Sequence, residues 1–264
     1  MEKWSQFLTF FQIRDDTELY QVLGDTCQTR IKAFSIEEMM SVMLNIRETG
    51  NDEVYQEVVA SINSELAERL ENNYNPIENK QFILEDDVIK ILNTMLDIQS
   101  MNGEVKDALI EHIEDNIGQF NYETIAELTV VYASKMDDTY KKQFFKLHST
   151  RLLSELEHLK GETMFKIIWS LVHSGRVKVN TEDHNWQLIK GCVAKRKEDL
   201  SAKILADLIV LSTKEAEEQE IGSHDLFSIV ETDLIKKMNI MTLDDLINLF
   251  WSSLNIEKGT DLYY

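Results

Sequence analysis

The chain contains one proline and nine glycines in 264 residues. Strand-rich folds spend both residues on turns, and a phosphate-cradling loop needs several glycines close together, so an all-helical chain is the expectation. Cysteine is almost absent as well. Cys27 and Cys192 form no CxxC pairing, and they read as two buried thiols in a reducing compartment. No apolar run approaches the roughly 18–20 residues that cross a bilayer. The opening MEKWSQFLTFFQIRDD lacks the charged start, long apolar centre and small-residue cleavage site of a secretory signal. Its early glutamate and few basic residues also make a poor transit peptide. A soluble or peripheral protein is expected, with any import signal internal or already removed.

Positive charge is scarce. The formal net charge is -20, and a polyanionic nucleic acid normally requires clustered Lys and Arg, so the balance argues against it as a partner. The deficit is uneven, because residues 140–203 carry 13 Lys and Arg against 7 Asp and Glu. Lys195, Arg196 and Lys197 mark the densest point of this basic zone.

What the chain has instead is a recurring register. Six windows align on the apolar residues Phe34, Leu84, Phe120, Leu159, Leu200 and Met241. The next residues are Ser35, Glu85, Asn121, Lys160, Ser201 and Thr242, four of which are good helix N-caps. Five positions after the anchors stand Met39, Ile89, Ile125, Met164, Leu205 and Leu246, all apolar. An apolar residue before the cap that packs on one four residues beyond it is a hydrophobic staple. Three positions after the anchors, Glu37, Asp87, Glu123, Glu162 and Asp244 put a negative charge in the first turn, where the helix dipole favours it; Lys203 is the exception. Val42, Leu92, Leu128, Ile167, Leu208 and Leu249, eight after the anchors, continue the stripe at helical spacing.

Each window is preceded by an amphipathic segment, near 19–32, 53–70, 105–118, 139–156, 184–198 and 224–238, so the unit reads as a helical hairpin. Anchor spacings of 50, 36, 39, 41 and 41 residues fit helical-pair arrays of roughly 33–47 residues per repeat. The long spacing is accounted for by NNYNPIENKQ, residues 72–81, which holds the only proline and reads as a loop. The expected fold is therefore all-α, an α-solenoid of about six helix-turn-helix repeats over residues 19–258. It is flanked by an apolar segment or capping helix at 1–18 and a tail at 259–264. A single irregular helical domain is the alternative.

The stretch MFKIIWSLVHSGR, with LDDLINLFWSSLN as a second copy, resembles the degenerate hairpin repeats of octotricopeptide, heptatricopeptide and FAST-kinase-domain proteins. The likeness covers most of the chain in period but only Trp169, Ser170, Leu171, Trp251 and Ser252 in identity. It implies a mitochondrial or chloroplast location and RNA binding or processing. Members often end in a RAP domain, which is not expected here.

No linear motif of a catalytic or cofactor site occurs. Six histidines include no HExxH and no Cys pairing at zinc spacing; His112 with Asp115, and Glu155 with His158, share helix faces in a way common on solvated helices. His173 falls near a helix end, where a cation meets the dipole favourably. The acidic pairs Asp86–Asp87 and Asp244–Asp245 fall in first turns, which already gives them a structural role; Asp15–Asp16 is a further pair. Trp169, Phe250 and Trp251 lie on or beside the stripes and are expected in the core, base stacking being the other use of such residues.

No enzyme, cofactor or metal is therefore expected. The reading is a non-catalytic scaffold or accessory subunit among the other protein subunits of a large complex. From the family likeness alone that complex is mitochondrial, an ATP synthase or respiratory assembly, with peripheral membrane association only through partners. Trp4, Phe7, Phe10 and Phe11, in an apolar N-terminal segment that also includes Leu8 and Ile13, are candidates for partner docking or for a capping helix, and Tyr263 and Tyr264 for a further contact. The alternative is a single-stranded RNA binder or mitoribosome-associated factor. Lys141, Lys142, Lys146, Arg151, Lys195, Arg196 and Lys197 would then contact phosphates.

Overall fold

The computed structural model describes residues 17–49, 52–72, 74–75, 80–81, 83–179, 182–217 and 224–255. Among them are twelve α-helices: α1 (Thr17–Arg30), α2 (Ile36–Thr49), α3 (Asp52–Glu71), α4 (Glu85–Asp97), α5 (Gly103–Asn116), α6 (Tyr122–Ser134), α7 (Asp138–Glu155), α8 (Gly161–His173), α9 (His184–Arg196), α10 (Ala202–Glu217), α11 (His224–Lys237) and α12 (Leu243–Asn255). The fold is all-helical. Within the segment expected as a loop, Tyr74–Asn75 pairs antiparallel with Lys80–Gln81, Tyr74 opposite Gln81.

Helix starts follow the register. Helices α2, α6, α8, α10 and α12 each begin two residues after their anchor. All four expected polar caps are made: Ser35, Asn121, Ser201 and Thr242 side-chain oxygens accept from the backbone N–H of Glu38, Thr124, Ile204 and Asp245 at 2.9–3.3 Å. Two of these are reciprocal, because Ser35 N–H donates to Glu38 and Thr242 N–H to Asp245. The bonding acid stands one place beyond the expected first-turn position, where its side chain can turn back to the cap. Lys160 makes no side-chain cap bond.

The second window is one residue out of register. Helix α4 starts at Glu85, so Leu84 takes the cap position, donating its N–H to Asp87 at 3.1 Å, and its side chain is exposed. Ile83, not Leu84, enters the core, and Val88 and Ile91 carry the stripe, while Ile89 is half-buried. Glu85 is consequently not a cap; its carboxylate accepts from the backbone N–H and side-chain amide of Asn121.

The chain divides into two compact units, Met1–Thr124 and Ile125–Tyr264. In the first, α1 packs on α3, α3 on α5, and α2 on α4. In the second, α7 packs on α9, α9 on α11, α8 on α10, and α10 on α12. Helices two apart in sequence are thus neighbours within each unit. The positions eight after the original anchors, from Val42 to Leu249, are buried in all six second helices. Side chains close over the backbone where α8 begins: a Cβ on Gly161 would lie 2.8 Å from Ile204 Cδ1 and 3.2 Å from Leu200 Cδ2.

Polar bonds join the same neighbours. Arg69 at the end of α3 donates to the carbonyls of Ile31 and Lys32, in the turn after α1. Arg196 at the end of α9 donates to those of Leu156 and Leu159, after α7, and Lys237 at the end of α11 reaches Lys197, Glu198 and Leu200, after α9. Each cation binds carbonyl groups in the turn that ends a helix; two of them, Ile31 and Leu156, also accept from the backbone N–H of Phe34 and Leu159. Asn63 does comparable work in the first unit, donating to the Ser100 carbonyl and accepting from Asn102 N–H.

Leu208→Ala, on the fully buried stripe of α10, is expected to cost about 2–5 kcal/mol in urea unfolding followed by helical circular dichroism. Leu147→Ala, at an exposed position of α7, should cost less than about 0.5 kcal/mol. Equal losses would contradict this assignment of core and surface.

Candidate functional site

Two hollows lie in the first unit. One, of about 340 Å³, is lined by Ile83, Leu84, Glu85, Asp86, His112, Asn116, Gln119 and Phe120. Its described lining holds no thiol, hydroxyl or amine that could act as a nucleophile, and Glu85 is bonded to Asn121. The second, of about 550 Å³, carries the ion pairs Lys32–Glu68 and Arg69–Glu65, so its charges are engaged with one another. Among the described residues no group of three His, Cys, Asp or Glu side chains has the geometry of a metal site.

The histidines are structurally placed. His112 is buried in α5, its carbonyl accepting from Asn116 Nδ2 at 2.8 Å; burial pushes its pKa below the usual imidazole value, against the pull of Asp115. His173 closes α8 with its ring stacked on Trp169 at 3.9 Å and Nδ1 at 3.0 Å from the Trp169 carbonyl. His158 is exposed in the turn after α7. Cys27 and Cys192 are free buried thiols, and burial pushes Cys27 up to about 11 and also raises Cys192, whose Sγ lies 3.9 Å from Met164 Sδ. High thiol pKa values and burial make both poor nucleophiles.

The expected basic zone resolves into two groups. Lys195 pairs with Glu157, holding that carboxyl below and its own ammonium above their usual ranges. Arg196 binds carbonyls, and Lys197 lies 3.1 Å from Asp233 and donates to the Ile229 carbonyl at 3.0 Å, which depresses the Asp233 carboxyl. These three therefore fasten helices to one another. On α7, Lys141 pairs with Asp138 at 3.2 Å, Lys142 and Lys146 are exposed one turn apart, and Arg151 is half-buried. The docking candidates Trp4, Phe7, Phe10, Phe11, Tyr263 and Tyr264 lie outside the described residues.

The aromatics expected in the core are only partly there. Trp169 is half-buried, and Phe250 and Trp251 are exposed, while among the described residues the fully buried tryptophan is Trp186 of α9. Leu243, Ile247, Phe250 and Trp251 instead form an exposed apolar face along α12. Sequence reasoning missed this face because helical spacing marks a residue as apolar-sided without showing whether a neighbour covers that side. The one available signal was the breadth of apolar positions around α12, wider than a single stripe needs.

No protein-family model matches the chain, and no curated protein matches it. No described helix is long and apolar enough to cross a membrane.

Stability should respond to His112. Its native pKa is depressed, so below about pH 6.5 the unfolded chain binds a proton that the native state resists, and stability falls as pH drops. Replacing it with glutamine should flatten that part of a urea-midpoint profile between pH 7 and 5 while leaving values above pH 7.5 parallel to wild type. An unchanged slope would contradict the buried, neutral assignment.

Proposed function

We propose that the protein is a non-catalytic scaffold or accessory subunit of a large protein assembly, built as an α-solenoid of about six hairpins. The observation that carries the reading is the apolar face of α12, surface of the kind that marks protein contact when it is contiguous and exposed. The array reading is supported by helices two apart packing together within each unit, and by side-chain bonds between residues 36–40 apart, close to one period. Lys195, Arg196 and Lys197, engaged within the protein, add nothing to the case for a phosphate-binding surface.

We place the assembly in a mitochondrion, as an ATP synthase or respiratory complex with this subunit at its periphery. The support for that placement is the likeness of the Trp169 and Trp251 windows to organellar hairpin repeats.

The test is the apparent size of the endogenous protein in a gentle detergent extract of mitochondria, with and without RNase. Co-migration with a large complex that survives RNase is the expected outcome. A particle that collapses under RNase would overturn the scaffold in favour of an RNA-associated role, and a free monomer absent from mitochondria would overturn the placement.

A further inference from the structure

Second helices carry their buried positions at fixed offsets from the anchor, and α12 departs from the rule along one side. Nine residues after the anchor, counting α4 from Ile83, stand Met43, Leu92, Thr129, Ile168 and Ile209, none more than 1% exposed. The equivalent residue of α12 is Phe250, which is 40% exposed. On the same side Leu243 and Ile247 are 72% and 45% exposed, whereas Ala202 and Ala206, at the same offsets in α10, are 5% and 2%. Helix α10 has α12 packed against it. Helix α12 therefore presents the kind of surface that elsewhere in this chain lies beneath another helix.

We propose that this face of α12 is the docking site for a basic amphipathic helix of a partner protein. Leu243, Ile247 and Phe250 stand at i, i+4 and i+7, the spacing of a helix laid along a helix, and Trp251 adds an aromatic 6.3 Å from Phe250, ring centre to ring centre and nearly edge-on. Charge selects the partner. Asp244 is exposed at the rim, next to Leu243, while Asp245 turns to the other side of the helix, where its carboxylate accepts from Thr242. A second copy would bring -20 against -20, whereas Lys or Arg flanking an apolar stripe complements the rim. The proposal deepens the protein-contact reading above and rests on it only in taking the occupant to be a protein.

The test is calorimetric titration of the full chain with two synthetic helical peptides that share one leucine stripe, one flanked by lysines and the other by glutamates. The lysine peptide should bind wild type and the Leu147→Glu control alike, and more tightly than the glutamate peptide by about tenfold or more, or roughly 1.4 kcal/mol. The Ile247→Glu/Phe250→Glu variant is more acidic, yet should lose binding by about tenfold or more. If that variant loses helicity, Trp251→Ala replaces it and should weaken binding severalfold.

Undiminished binding by the variant would show charge attraction alone and overturn the site. No binding of the lysine peptide to the full chain would overturn the proposal. A concentration-dependent dimer abolished by the variant would assign the face to a second copy. The native-size experiment can fail without touching this titration, and a failed titration leaves the host-complex result standing.

Discussion

The turns that end α1, α7 and α9 each present several backbone carbonyls at one place, and a cation from the helix two further along the chain binds them in each case. Arg69, Arg196 and Lys237 each stand at the end of a first helix and reach back to the turn after the preceding first helix. Each includes the carbonyl three residues before an anchor: Ile31, Leu156 or Lys197. A long cationic side chain suits this work, because its stem lies along apolar surface while its donors reach several acceptors at once. Charge-assisted bonds to the carbonyls of these turns fix the offset between neighbours more sharply than apolar contact, which is non-directional.

The same interaction gives the densest cations of the basic zone a use inside the protein. Lys195, Arg196 and Lys197 are adjacent in sequence, yet the first two serve the turn after α7, at Glu157 and at the Leu156 and Leu159 carbonyls, and the third serves Asp233 of α11. Their partners are 32–40 residues away, so no local pattern announces them. A cluster of cations in a repeat is compatible with internal fastening as well as with an external polyanion, and the geometry favours the first use for these three.

Much of the helical layout was legible because capping is local. Ser35, Asn121, Ser201 and Thr242 act on groups three residues away, and the stripe positions from Val42 to Leu249 follow from helical spacing alone. The slip at α4 was not legible, because Ile83 and Leu84 are both apolar and only packing shows which one enters the core. The exposed face of α12 escaped for a related reason: a stripe of Leu, Ile, Phe and Trp looks the same whether or not a neighbouring helix lies on it. The two readings of α12, core and contact surface, differ only in the third dimension.

The most direct measurement is amide hydrogen exchange on the Lys237→Met variant, compared with wild type under conditions where both keep full helicity. If the ammonium group fastens the preceding turn, exchange should rise in residues 197–205, some forty positions away in sequence. A change confined to α11 and the turn that follows it would contradict the account that these cations hold helices two apart in register.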